Sequence, residues 1–182
     1  MEIHFIVENT DYQVRSFKLS DKNSLVKYAN NYNIARNLRD LFPHPYTEAD
    51  ASEWLKLVCS QKPELNFAIA NNKELIGGIG LEPQKDINRF SVEIGYWLAE
   101  SFWGMGIMVE AVKILTGFVF NGKTGINFNR IFAGVFESNT ASEKVLIKAG
   151  YKKEGVLRKC VFKEDKFLDQ YIYSILKDEW EH

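Results

Sequence analysis

The stretch of this sequence best suited to chemistry is Ser101-Phe102-Trp103-Gly104-Met105-Gly106-Ile107-Met108. Glycines lack Cβ atoms, so Gly104 and Gly106 let the backbone approach a ligand closely. A helical pattern opens there, and the first amides of a helix have no intrahelical partner and sit at the positive end of its dipole. That arrangement suits a pyrophosphate. Gly104-Met105-Gly106 is not a dinucleotide fingerprint, because the third glycine and the downstream ribose-binding acid are missing. Nor is it a Walker loop, since no Lys-Ser or Lys-Thr follows. Taken alone, the two glycines can equally be a plain tight turn.

Around this stretch, the elements that must position it read as follows. A strand is expected over Tyr12–Leu19, and Asp21 then caps a helix carrying Leu25, Val26 and Ala29 on its inner face. The chain must turn at Pro43-His44-Pro45-Tyr46, because each proline drives its predecessor out of the α region. Thr47 or Asp50 opens a second helix with Ala51, Trp54, Leu55 and Val58 on one side. Strands Asn66–Ala70 and Leu75–Leu81 form a hairpin across Asn71-Asn72-Lys73-Glu74. Another strand covers Phe90–Leu98. The helix from Gly104 to about Phe120 spaces Ile107, Met108, Ala111, Val112, Leu115, Phe118 and Val119 at helical intervals. Arg130–Phe136 is a buried strand. Thr140–Ala149 is a short helix with a Thr140/Glu143 capping box, closed by Gly150. Val156–Phe162 and Phe167–Leu176 share the turn Lys163-Glu164-Asp165-Lys166. This order gives an α/β (α+β) protein with a largely antiparallel sheet.

Composition narrows the function classes. A chain of 182 residues with 46% hydrophobic and 26% charged residues is expected to form one domain with a substantial core. Its 23 Lys and Arg against 24 Asp and Glu leave a net charge of −1, without the basic excess that non-specific nucleic-acid binding requires. Cys59 and Cys160 are widely separated, which suits neither a disulfide framework nor a zinc site and points to reduced thiols. The start Met1-Glu2-Ile3-His4-Phe5 does not read as a signal peptide, and no apolar run is long enough for a membrane span. The expected address is the cytoplasm, with no membrane partner.

Val92-Glu93-Ile94-Gly95-Tyr96-Trp97-Leu98, with Trp103-Gly104-Met105-Gly106 and Glu110-Ala111 after it, resembles the acetyl-CoA motif of the GNAT N-acetyltransferase superfamily. Asn139-Thr140-Ala141-Ser142-Glu143-Lys144-Val145-Leu146-Ile147-Lys148-Ala149-Gly150-Tyr151 is similar to that superfamily's second cofactor helix, and Glu154-Gly155-Val156-Leu157-Arg158 continues the likeness. The wording is most similar to the branch of the ribosomal-protein N-terminal acetyltransferases RimJ and RimL. It extends from Tyr12 to about Asp178. The resemblance implies the acyl-CoA N-acyltransferase fold, a mixed and mostly antiparallel sheet with flanking helices and a central parallel pair that splays near Leu98. It implies acetyl-CoA as acyl donor, no metal, and a primary amine as acceptor, either a protein N-terminus or a small molecule. A non-catalytic acyl-CoA-binding module and a spermidine-type acetyltransferase are the alternatives on the same fold.

The resemblance also assigns residues. The pantetheine arm would pair with backbone at Tyr96, Trp97 and Leu98, and the amides of Trp103, Gly104, Met105, Gly106, Ile107 and Met108 would cradle the pyrophosphate. Asn139 matches a position that contacts the pantetheine; a helix-entry cap is its structural alternative. Glu93, on the strand beside the expected cofactor, is the candidate base, acting through one water. Many members carry a tyrosine general acid where this chain has Leu146, so Ser142 is the candidate proton relay, with helix-end service as its alternative. Tyr151 and Tyr173 are further donors whose context favours packing. RimL-like proteins have an acid in the penultimate strand where this sequence has Val161. Lys144–Lys166 carries eight bases against three acids, and Asp40–Glu64 five acids against two lysines. The first excess reads as a solvated face, and the second favours cationic amines. Trp54, Trp97 and Trp103 read as packing residues. A homodimer through the sheet edge is a further expectation.

Overall fold

A computed structural model of the chain describes residues 1–180. Its strands are β1 (Glu2–Val7), β2 (Thr10–Ser16), β3 (Asn66–Asn71), β4 (Leu75–Pro83), β5 (Ser91–Leu98), β6 (Arg130–Phe136), β7 (Lys152–Lys163) and β8 (Lys166–Leu176). Its helices are α1 (Lys22–Ala29), α2 (Tyr32–Ala35), α3 (Glu48–Ser60), α4 (Ile107–Phe120) and α5 (Thr140–Lys148). The strands form one eight-stranded sheet in the order β1-β2-β3-β4-β5-β6-β8-β7. Pairs β1–β2, β2–β3, β3–β4, β6–β8 and β7–β8 are antiparallel. β5 pairs with β6 in parallel, in register from Ser91↔Arg130 to Glu93↔Phe132. That register covers only the first three residues of β5. No helix among the described residues is long and apolar enough to cross a membrane.

The chain divides into two compact units, one of Met1–Gly80 with Tyr96–Ala111 and the other of Leu81–Gly95 with the chain from Val112 onward. In the first, Phe17, Leu25, Ala29, Tyr46, Ala51, Leu55, Val58, Ala68 and Leu75 form a hydrophobic core, with Phe42, Trp54 and Trp97 packed against it. Glycine is required at 77, because a Cβ there would lie 2.5 Å from the carbonyl oxygen of Trp97. That close approach lets the amide of Ala99 bond the carbonyl of Ile76 at 2.8 Å, tying the end of β5 to β4. In the second unit, Leu115, Val119, Phe128, Ile131, Leu146, Tyr151, Tyr173 and Ile175 are buried. The turn between β7 and β8 has positive φ at both Glu164 and Asp165, the twist that a two-residue hairpin needs.

Several expectations about element ends require correction. β1 has no counterpart in the sequence reading; it is an edge strand with little burial, only Phe5 and Val7 being half-buried. Its hairpin turn is Glu8-Asn9, both at positive φ. α2 is a single turn, too short to show periodicity. Asp21 does not cap α1 with its side chain. Its carboxylate instead accepts a two-pronged bond from Arg15, at 2.8 Å from Nη1 and 2.7 Å from Nη2, and also the amide of Lys18 at 2.9 Å. A buried guanidinium on β2 outcompetes the helix end for the acid. Thr47 does open α3, in a reciprocal capping arrangement with Asp50.

Both partners of the Arg15–Asp21 pair are nearly inaccessible, at 8% and 7% of side-chain surface. Removing one partner strands a buried charge, whereas removing both does not. Asp21→Ala is therefore expected to lower unfolding free energy by about 3–5 kcal/mol, and the double change Arg15→Met/Asp21→Leu by much less. Urea unfolding of the three proteins checks this; equal losses in the single and double variants would show that packing, not charge, holds this corner.

Candidate active site

The glycine-containing stretch lies between β5 and α4, in the first unit. Gly104 and Gly106 adopt φ of +79° and +84°. Residues in that conformation cannot belong to a right-handed helix, so α4 begins at Ile107 and not at Gly104 as its sequence pattern suggested. A Cβ built on either glycine meets no protein atom within 4 Å, so backbone conformation accounts for these glycines and the space beside them is open. The first helical bonds are donated by the amides of Val109 and Glu110 to Gly106 O, at 3.0 and 3.3 Å. The amides before them precede the ladder, as at any helix start. The side chains of Ile107 and Met108 are buried, which leaves their backbone as the part a ligand can use.

β5 leads into this loop. The Trp97 side chain packs against the core of the first unit, 6.0 Å between ring centres from Phe42. The exposed Trp103 folds back instead, and its Nε1 donates to Leu98 O at 2.7 Å. The carbonyl of Leu98 and the amide of Ala99 are thus already engaged by the protein. Sequence spacing could not show this, since it depends on the Trp103 indole turning back five residues.

In the second unit, Glu93 is half-buried on β5 at the last residue in register with β6, opposite Phe132. Asn139, not Thr140, is the N-cap of α5: its Oδ1 accepts the amide of Ser142 at 3.1 Å. Ser142 is half-buried in the first turn of that helix. The expected Thr140/Glu143 box is absent because Glu143 is used elsewhere. Its Oε1 accepts a hydrogen bond from the hydroxyl of Tyr173, with Lys153 Nζ at 4.0 Å. Sequence reading missed this link, because residues 30 positions apart meet only when α5 lies on β8.

The alternative proton donors are disposed of by burial. Leu146 is fully buried, and Tyr151 shares a 2.8 Å hydrogen bond with Thr116 inside the second unit. Tyr173 is 1% exposed and commits its hydroxyl to Glu143. The charge-rich segments are also partly self-satisfied. Lys152 pairs with Glu179 at 2.6 Å, Lys159 with Asp169 at 3.5 Å, and Glu48 with Lys22 at 2.9 Å. Val161 is half-buried after an irregular β7 stretch, where Lys159 at φ +52° has its amide held by Asp169 at 2.9 Å. Cys59 and Cys160 are exposed free thiols. Among the described residues, no group of three or more His, Cys, Asp or Glu side chains is arranged to hold a metal ion.

Comparison with known proteins agrees with this geometry. A family profile described as the acetyltransferase (GNAT) domain matches residues 13–152. The chain is 29% identical over 173 residues to the uncharacterized N-acetyltransferase p20 of Bacillus licheniformis, covering 92% of this chain and 93% of that protein. It is 30% identical over 112 residues to the ribosomal-protein-serine acetyltransferase of Escherichia coli (strain K12), 62% of this chain and 60% of that one. The crystal structure of the ribosomal-protein-S5-alanine acetyltransferase from Vibrio fischeri superposes with a TM-score of 0.78 at 26% identity, over 99% of this chain and 100% of that one. The chain belongs to the GNAT acetyltransferase family, with relatives of the RimJ/RimL type. It is an N-acetyltransferase that draws its acetyl group from acetyl-CoA.

The two deeply placed tyrosines give the fold an alkaline limit. Burial, and then the bond to Glu143, raises the Tyr173 phenol well above the ordinary tyrosine range. Burial pushes Tyr46 up to about 12. A raised folded pKa contributes stability that is fully present below the unfolded value of about 10 and is lost as pH climbs through the folded one. Unfolding free energy is therefore expected to fall from about pH 10 upward, and less steeply in Tyr173→Phe. Urea titrations at graded pH measure both slopes; identical slopes would remove Tyr173 from the account.

Proposed function

We propose that acetyl-CoA seats its pyrophosphate on the amides of Trp103–Met108 and its pantetheine arm along Tyr96–Leu98, with Asn139 as a further contact. The observation that carries this reading is the pair of positive-φ glycines facing open space immediately before α4. A helix start of this kind attracts phosphate through its unpaired amides and its dipole. Capping occupies Asn139 Oδ1, so the donors on its Nδ2 are the ones a pantetheine carbonyl would take.

Glu93 is assigned the role of base and Ser142 that of proton relay. Glu93, through a water, takes the proton from the acceptor ammonium, and the amine nitrogen then bonds to the thioester carbon. The nitrogen of the tetrahedral adduct gives its second proton to solvent as the carbon–sulfur bond breaks, and Ser142 passes a proton from solvent to the departing thiolate, leaving the amide and the CoA thiol. Alignment of amine and thioester supplies much of the acceleration. The acceptor best supported is the α-amine of a protein N-terminus, because two of the similar proteins, from Escherichia coli and Vibrio fischeri, are named as ribosomal-protein acetyltransferases. A thiol-release screen of N-terminal peptides beside spermidine and small amines tests that choice. Turnover confined to spermidine would select the polyamine reading, and binding of acetyl-CoA without any turnover would select the non-catalytic module. A homodimer belongs to the same proposal and is checked by light scattering.

Gly106→Val forces a β-branched residue into a left-handed conformation, at about 1–2 kcal/mol, and puts a side chain where the phosphates belong. A folded Gly106→Val protein is expected to lose most calorimetric affinity for acetyl-CoA; full affinity would take the loop out of the site.

Glu93→Gln should lower kcat/KM by about 10²–10⁴ at neutral pH while acetyl-CoA affinity stays close to that of the parent. The residual rate should climb with pH as free amine appears unaided. Loss of cofactor binding in this variant would place Glu93 among the structural residues. Direct attack also requires sequential kinetics, and a trapped acetyl-Cys59 or acetyl-Cys160 would overturn it.

A further inference from the structure

The segment from Asn30 to Tyr46 is held at its base, where Asn30 Oδ1 accepts the amide of Tyr46 at 3.0 Å. Between these ends lies an exposed surface with Tyr32, Arg36 and His44, the Tyr32 and His44 rings 5.7 Å apart. One acid outside the segment grips it. Glu100 accepts Asn31 Nδ2 at 2.7 Å and Asn33 Nδ2 at 3.1 and 3.2 Å on its two oxygens. Asn31 Oδ1 in turn caps α2 by accepting the amide of Asn33 at 2.8 Å, and Asn33 O accepts Asn37 Nδ2 at 2.9 Å. The same Glu100 opens the single turn Glu100–Phe102 that leads into the glycine loop, its carbonyl accepting the amide of Trp103 at 3.1 Å. One residue therefore joins, by its backbone, the Trp103–Met108 loop and, by its side chain, the 30–46 segment. All of these groups lie within the first unit.

We propose that Glu100 is a positioning residue that couples the two: CoA seated on Trp103–Met108 orders the 30–46 segment through the Glu100 carboxylate. The inference rests on the cofactor seating proposed above. Glu100 and its amide partners are largely solvent-facing, where such bonds compete with water and with side-chain entropy. Fixing the backbone turn that carries the carboxylate removes part of that entropy cost, so the same bonds hold more firmly once the loop is occupied. The asparagine donors also hold the carboxyl below the usual glutamate range, so it is ionised across the neutral region and accepts on both oxygens. The 30–46 segment is thereby held more firmly when the acyl carrier is present, and with it the exposed surface of Tyr32, Arg36 and His44.

Hydrogen exchange of the full chain, read by mass spectrometry with and without saturating CoA, tests this without knowledge of the acceptor. In the parent protein CoA should slow exchange both in peptides covering 103–108 and in those covering 31–46. In Glu100→Ala the first protection should remain and the second fall to less than half. Asn33→Ala removes two of the three bonds from the other side and should give the same pattern, which keeps the test valid where one variant is poorly folded. Glu100→Gln keeps one acceptor oxygen and should restore part of the protection. Parent protection at 103–108 without any at 31–46, or undiminished protection at 31–46 in both alanine variants, overturns the coupling alone. No protection at 103–108 in the parent protein overturns the cofactor seating, and the coupling with it.

Discussion

The left-handed backbone at Gly104 and Gly106 is the constraint on which the rest of the site depends. Because neither residue can be helical, the apolar pattern of α4 starts to act only at Ile107, and the preceding amides stay outside the helical ladder. The buried side chains of Ile107 and Met108 fasten that helix start from below, so the loop presents backbone and not side chains. The anion site proposed on these backbone amides would need no charged side chain, which is consistent with a chain of near-zero net charge.

A second theme is how few polar groups are left to local service alone. Asn139 caps α5, Glu143 receives the Tyr173 hydroxyl, Asp21 satisfies a buried arginine, and Trp103 closes onto Leu98. Asn139 serves its own helix, whereas Glu143, Asp21 and Trp103 connect elements or loop ends that periodicity treats as separate. Desolvated polar atoms must find partners, and the partners are chosen by what the fold brings within reach. The same rule removes Tyr151 and Tyr173 from chemistry, because a phenol committed to a buried bond is a poor proton donor and an even poorer one when its pKa is raised. Leu146 is fully buried, and the first turn of α5 carries the hydroxyls of Thr140 and the half-buried Ser142.

Much of this protein was determined by the sequence alone. Arg130–Phe136 is a strand in the residues where its apolar run predicted one, and the hairpin turns, α3 with its Thr47 cap and the body of α4 follow from short-range patterns of 2.0 or 3.6 residues. The acetyltransferase class came from the resemblance of two motifs in order, Val92–Ala111 and Asn139–Tyr151, to the GNAT superfamily, since the two glycines alone can equally mark a tight turn. Tertiary structure decided what periodicity cannot encode. Edge strand β1 was placed by its pairing with β2, and α4 could not be shortened to Ile107 without the φ values of its glycines. Where Asp21, Glu143 and Glu100 point was equally hidden, since a carboxylate side chain goes to the strongest donor within reach. Those donors, Arg15, Tyr173 and the Asn31–Asn33 pair, are set by packing and not by neighbours in the chain.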